Sequence, residues 1–268
     1  MKLRILGSIL LSGMMVTGMA ACSQNAAVEI AETSVEQTTA VETTVTETSV
    51  VETTVAETVP FERPACNTAS LSCEVGDTVE YGSYYMDDDE MAPLTWICMD
   101  EKDGMVLLLS SQVIDCKMYG NKHGDTSWAE CDLREWLNSE FVATAFSEDE
   151  ASCIWYSDIV NDDNNTGLVE GGADTIDQVF ILSQEELNRF FADDNARLCL
   201  PTDYAVAQGC WTSDFQTSLG CTSYWVRNPG LAKSRAVYVF LNGAIITDGD
   251  FVNQTFIGVR PAMWVKIA

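Results

Sequence analysis

Residues 224–230 read YWVRNPG, residues 248–253 read DGDFVN and residues 257–264 read IGVRPAMW. Between the first two blocks lies an alternating apolar segment, Ala236–Thr247, that turns at Asn242-Gly243. Asn-Gly tolerates the positive φ angles of a type I′ turn, so this segment is expected to form a two-stranded hairpin. Residues 257–265 read as a closing strand. Pro261 cannot donate a ladder hydrogen bond, which points to a bulge or a sheet edge there. Trp225, Val237, Val239, Val259 and Trp264 are expected to be core. Arg227 and Arg260 are expected to pair with buried carboxylates and fix the loops. That leaves the turn residues as the candidate ligand surface: Asn242, Asp248, Asp250, Asn253 and Gln254, flanked by Tyr238 and Phe251. Loops carried on a rigid scaffold are where binding usually resides.

Upstream, residues 75–84 (VGDTVEYGSY) alternate as a strand does. Leu94–Met99 and Met105–Leu109 are two further strands joined across residues 101–104, where Asp103-Gly104 is a hairpin signal. Leu133, Trp136, Leu137 and Phe141 share one face of a helix. Ser147 with Glu150, and Ser183 with Glu186, are capping boxes that open two more helices. Thr202 begins a last helix that Gly209 ends. Residues 158–174 are polar and Gly-rich, and read as a long loop. Strands, then a run of helices, then strands is the order of an α+β domain, here a single compact one over residues 65–268.

The N-terminal part has a different composition. Residues 1–21 combine Lys2 and Arg4, an apolar run and a small-residue end before Cys22, as in a lipoprotein signal peptide. Met19-Ala20-Ala21-Cys22 is the expected lipidation box, with Met19 where leucine is usual. Residues 22–64 form a Glu/Thr/Val-rich stalk in which Glu-Thr recurs every five residues, at Glu42, Glu47, Glu52 and Glu57. With so little large apolar surface to bury, this stalk is expected to be a disordered tether. The formal charge of −27, from 41 acidic and 14 basic residues, argues against nucleic acid as a partner. The expected location is therefore the outer face of a bacterial membrane, with the chain anchored through an N-terminal lipid.

No catalytic constellation is readable. The one histidine, His123, sits in a polar loop, and no nucleophile elbow, zinc-protease helix or phosphate loop is present. Asp162-x-Asn164-x-Thr166-Gly167 begins like a calcium loop, but its twelfth position is Ala173 where a glutamate is needed, and Asp87–Glu90 has no ligand spacing. No cofactor is expected, with calcium the ion that the acidic loops keep in view. Ten cysteines include no C-x-x-C. Export favours disulfides, and Cys116 with Cys131 and Cys66 with Cys73 are the expected pairs, while Cys98, inside an apolar strand, is the expected buried free thiol.

Six blocks occur in order: VGDTVEYGSY (75–84), DLREWLNSEFVATAFS (132–147), DQVFILS (177–183), PTDYAVAQG (201–209), YWVRNPG (224–230) and GVRPAMW (258–264). Together they resemble the bacterial domain-of-unknown-function family numbered 6273, over Val75–Val265. The family's usual W-L-R-S-P-G stands here as residues 225–230 with Val226 and Asn228. That family carries no settled activity. The W-x-R block, the turn-rich hairpin and GVRPA (258–262) are also similar to the close of C-type lectin-like domains. This second resemblance implies an α+β fold whose last third displays a ligand surface. The calcium-dependent sugar motif of such domains is lacking, since Asn228-Pro229 follows Arg227 rather than an acid. Relatives among the formylglycine-generating enzymes use two close cysteines, for which only Cys210 and Cys221 stand near the closing segment, before Trp225. The expectation is a surface lipoprotein presenting a binding module for glycan or protein. The alternatives are an enzyme acting on envelope polymers through carboxylates, and a structural domain with no discrete ligand.

Overall fold

The computed structural model describes residues 71–87, 90–121 and 124–268. The leader, Cys22, the stalk, Cys66 and His123 lie outside the described residues. The domain opens with a meander of β1 (Thr78–Tyr85), β2 (Met91–Lys102) and β3 (Met105–Ser110). Lys102 pairs with Met105, leaving Asp103-Gly104 as a two-residue turn with φ of 54° and 73°. Positive φ at both central positions is the type I′ signature that suits the right-handed twist of the strands. The short β4 (Asp115–Cys116) follows.

The helical middle comprises α1 (Asp132–Trp136), continued by a π-turn over Leu137–Phe141 into α2 (Val142–Ala145), and then α3 (Glu148–Cys153). Leu133, Leu137 and Phe141 face the core, with Trp136 half-buried at its rim. Next come β5 (Ser157–Ile159), β6 (Thr175–Asp177), β7 (Val179–Ile181), α4 (Gln184–Phe190), α5 (Asp194–Arg197) and α6 (Asp203–Ala207). Both expected capping boxes form: Ser147 with Glu150 on α3, and Ser183 with Glu186 on α4. Each satisfies two amides that a helix start would otherwise leave orphaned. Thr202 caps α6, and Gly209 follows it at φ 118°. No described helix is long and apolar enough to cross a membrane.

The last third supplies β8 (Tyr224–Pro229), β9 (Arg235–Val239), β10 (Ile245–Phe251), β11 (Gly258–Val259) and β12 (Pro261–Lys266). Two five-stranded sheets result, ordered β1-β2-β3-β12-β7 and β10-β9-β8-β11-β4, with β5-β6 as a separate pair. The architecture is mixed α+β. The closing segment contributes to both large sheets. β11 lies between β8 and β4, and β12 lies between β3 and β7.

Three expectations about that segment are corrected. Pro261 marks neither an edge nor a bulge: it is the first residue of an interior strand, where the chain passes from one sheet to the other. The Asn242-Gly243 turn is not type I′, because Gly243 alone has positive φ there. Gly243 N–H donates to the Phe240 carbonyl and Ala244 N–H to the Asn242 side chain, giving a turn with one extra residue. A Cβ on Gly243 would stand 1.8 Å from the Asp194 carbonyl oxygen, so only glycine fits. Arg260 has no carboxylate partner among the described residues. Its buried guanidinium donates to the Ser110 carbonyl and the Tyr224 hydroxyl, and lies 5.3 and 5.6 Å from the Tyr224 and Phe191 rings. Carbonyl, hydroxyl and ring faces together replace the missing counter-charge.

Arg227 does pair as expected, donating to Glu186 and to the Ile181 carbonyl at 2.8 Å each. Trp96, Trp128 and Trp225 are fully enclosed. Each indole N–H finds an acceptor at 2.8 Å: the Tyr81 carbonyl, the Asp177 carboxylate and the Lys117 carbonyl, respectively. Satisfying that one polar atom is what allows so large an apolar body to be buried. Trp264, expected in the core, is only half-buried. Its place on the outer face of β12 puts it beside Trp155, whose N–H donates to the Trp264 carbonyl.

Candidate functional site

The segment between β5 and β6 is a loop closed by the Asn164–Val169 bridge. One side chain organises it. Asn164 Oδ1 accepts from the N–H groups of Thr166 and Gly167 at 3.0 and 3.1 Å. Its Nδ2 donates to the carbonyls of Pro229 and Thr247, both at 3.0 Å. The amide thus spends both ends, one turning its own loop and the other tying that loop to β8 and β10. Asp163 accepts from Gly171 N–H at 2.8 Å, and a Cβ on Gly171 would collide with the Asn161 carbonyl oxygen at 2.0 Å.

The facing wall is the start of α4. Asn228, at the end of β8, accepts from Gln184 N–H at 2.7 Å, while Arg227 holds Glu186 of the capping box. Loop, β8 and helix start are therefore cross-tied by one buried and several part-buried hydrogen bonds, and a cleft of about 560 Å³ opens between them. Asp162, Asp163, Asn165 and Thr166 line one side, Gln184, Glu185 and Asn188 the other, with Asn228 and Thr247 completing it. Its walls carry exposed carboxylates, amides and hydroxyls, with no aromatic ring and no cationic side chain. Such a lining presents hydrogen-bond acceptors and amide donors on a fixed backbone, which suits a polyhydroxylated ligand.

A second cleft, of about 700 Å³, lies between Lys102–Met105, Trp155–Asp158 and Trp264–Ile267. The Lys266 ammonium sits 5.0 Å from the Trp155 ring, and Trp155 and Asp158 are both engaged in further contacts. The Trp155 ring is thus already covered by a cation of the chain itself, and the polar cleft is the better candidate.

The seven residues expected to bind ligand are divided by the structure. Tyr238, Asp250, Phe251 and Gln254 come together on the β9–β10 pair. Gln254 donates to Asp250 at 2.9 Å, Phe251 N–H donates to the same carboxylate oxygen, and the Arg235 guanidinium covers the Phe251 ring at 4.5 Å. Burial, helped by the Asp250 charge, pushes the Tyr238 hydroxyl above its ordinary pKa. Asp250 and Gln254 thus satisfy one another, and the Phe251 ring is covered by Arg235. Asn242 is used by its own turn. Asp248 is exposed, next in sequence to the Thr247 of the polar cleft, and Asn253 is half-buried in the turn after β10. The residues that build the cleft, Asn164, Gln184, Asn188 and Asn228 above all, were outside that set. The one sequence sign was the Asp162-x-Asn164-x-Thr166-Gly167 fragment, whose Asn164 serves as a latch rather than an ion ligand. Among the described residues no group of three or more His, Cys, Asp or Glu side chains is placed to hold a metal.

The expected Cys116–Cys131 pair does not form. Cys116 and Cys131 are both free: the Cys116 thiol donates to the Thr255 and Ile257 carbonyls, while the Cys131 sulfur accepts from Arg134 N–H and so caps α1. Cys73 is free, and the expected Cys66–Cys73 pair reaches outside the described residues at Cys66. Cys98 is buried and free, and Cys153 is disulfide-bonded.

Residues 103–267 match the model of a family described as a domain of unknown function, DUF6273. No curated protein and no solved structure matches the chain.

Proposed function

The chain belongs to the DUF6273 family, and from that starting point we propose that it is a surface-anchored lipoprotein whose domain is a binding module for glycan. The observation that carries this reading is the polar cleft, with exposed Asp162, Asp163, Asn165, Glu185 and Asn188 set on backbone fixed by Asn164, Asn228 and Arg227. Preorganised donors and acceptors reduce what a ligand loses on immobilisation, which is how a small polar site reaches useful affinity. The lipoprotein address rests on residues 1–22, and the strong negative charge keeps nucleic acid out of the partner set.

Calorimetric titration of the purified chain with soluble peptidoglycan fragments tests the proposal. Saturable binding is expected, weakened about tenfold or more, equivalent to about 1.4 kcal/mol, by Asp162→Ala combined with Asn188→Ala. Unchanged affinity in that stable double variant would sink the assignment. Hydrolysis of the same fragments is the second reading, favoured by carboxylates on both walls, Asp162 and Asp163 facing Glu185. Product formation abolished by Glu185→Gln would promote it over simple binding.

A further inference from the structure

Ten cysteines are present. Cys22 and Cys66 lie outside the described residues, Cys153 is already bridged, and seven thiols are free. Six of those seven meet in pairs. The Cys73 thiol, after burial, raises the pKa of Cys98 on β2, and the backbone of the same turn brings the two segments together: Gly76 N–H donates to the Cys98 carbonyl and Cys98 N–H to that of Asp77. The Cys116 thiol, together with burial, raises the pKa of Cys210. Both face Gly258 of β11, which is the strand partner of Cys116 and whose missing Cβ would stand 2.8 Å from the Cys210 sulfur. The Cys210 thiol also reaches the carbonyl of Asp115, next in sequence to Cys116. Cys199 and Cys221 lie on adjoining segments: the Cys199 carbonyl accepts from Thr222 N–H at 3.0 Å, next in sequence to Cys221, and each cysteine perturbs the pKa of the other.

The seventh thiol is different. Cys131 is buried at the start of α1, its sulfur accepting from Arg134 N–H and its S–H donating to the Trp128 carbonyl. Its sulfur is met by the Leu133 and Arg134 amides, the Trp128 carbonyl and the Tyr119 side chain. Sulfur used as a helix cap has a structural use that oxidation would remove.

We propose that the mature domain is cross-linked by three further disulfides, Cys73–Cys98, Cys116–Cys210 and Cys199–Cys221, leaving Cys131 as the one unbridged thiol of the described domain. Each bridge forms by exchange with a disulfide oxidant of the glutathione disulfide class. The more accessible thiol, Cys73 or Cys116 in the first two pairs, loses its proton, attacks one sulfur of the oxidant and expels a thiolate. The buried partner, after losing its own proton, attacks the mixed disulfide and expels the second thiolate. Two cysteine thiols thereby give up two electrons and two protons, and one oxidant becomes two thiols. Burial and the Cys73 thiol push Cys98 up to about 12, and the Cys116 thiol and burial push Cys210 up as well. The source of oxidant in the cell rests on the exported address proposed above, whereas the pairing rests on the fold alone.

Peptide mapping under non-reducing conditions tests the pairing on the full chain. The chain is alkylated as isolated without reductant, and again after mild reduction and re-equilibration with oxidised glutathione; the Cys153 bridge serves as internal control. Three cross-linked peptides are expected, with Cys131 alkylated. Cys116→Ser is expected to leave Cys210 alkylated while Cys73–Cys98 and Cys199–Cys221 persist. Alkylation of both Cys116 and Cys210 after oxidation, or any bridge to Cys131, overturns the proposal. Bridges that form in vitro while thiols trapped in intact cells are reduced support the pairing and count against the exported address.

Discussion

Replacing Asn164 separates the latch from the cleft it supports. Asn164→Ala removes four hydrogen bonds at once, two to loop amides and two to the carbonyls of Pro229 and Thr247. At about 1 kcal/mol net per bond the ceiling is about 4 kcal/mol. The Thr166 and Gly167 amides are near the surface and regain water, whereas the bond to the Pro229 carbonyl is buried. The expected loss is therefore about 2–3 kcal/mol, or roughly 5–10 °C in Tm for a domain of this size. Asn164→Asp sharpens the test. It keeps the acceptor for the loop amides but sets a carboxylate oxygen against two carbonyls. It should be worse than alanine at neutral pH and recover as acid protonates it, because the protonated acid donates to one carbonyl again. Urea denaturation followed by tryptophan fluorescence at pH 7 and pH 4.5 reads both variants. A loss below about 0.5 kcal/mol for the alanine variant would refute the latch, that being the range of an ordinary surface substitution. So would an aspartate variant as stable as the parent at pH 7.

Three further outcomes follow from the geometry. Gly171→Ala puts a methyl 2.0 Å from the Asn161 carbonyl oxygen and should destabilise by about 1–3 kcal/mol, measured by the same denaturation. Burial raises the Glu150 carboxyl, but hydrogen bonds from Ser147 and from Gly82 N–H outweigh it, and the net pKa is below the ordinary glutamate value. A depressed acid contributes stability above its unfolded pKa and loses it as pH falls through the folded one, so Glu150→Gln should flatten the acid limb of a Tm–pH profile. Asp115 shows the opposite sign: burial raises its pKa against the pull of Lys117, the Tyr84 hydroxyl and Cys116 N–H. Stability should fall as pH rises from the ordinary aspartate value through the raised one, and Asp115→Asn should remove that decline in the same profile.

Much of the scaffold was legible because its signals are local. Period-two alternation, the Asp103-Gly104 turn and the Ser-x-x-Glu boxes each decide structure within a few residues, and all formed. The type I′ expectation at Asn242-Gly243 missed because the Asn242 side chain accepts from Ala244 N–H and the Asp194 carbonyl crowds Gly243, contacts from outside the dipeptide. Pro261 was read as a local defect in one strand, whereas its meaning is topological. Arg260 was assigned a carboxylate because a buried cation needs compensation; a carbonyl, a hydroxyl and two rings supply it from three separate segments, at Ser110, Phe191 and Tyr224. The cleft was the least legible of all. Its residues come from four segments that only the folded chain unites, and the polar groups of the closing hairpin that drew attention in sequence largely satisfy one another.

The passage of the chain at Arg260 from one large sheet into the other also governs the order in which the domain can be made. β12 is the latest of the described strands in sequence, yet it fills the slot between β3 and β7. Until residues 261–266 arrive, β3 and β7 each expose a facing edge of unpaired backbone, and closing that gap requires contacts distant in sequence. Folding is thus withheld until the strand that completes the sheet is available. A chain cut before Pro261 would keep two adhesive edges, and its fate is self-association rather than a smaller working domain.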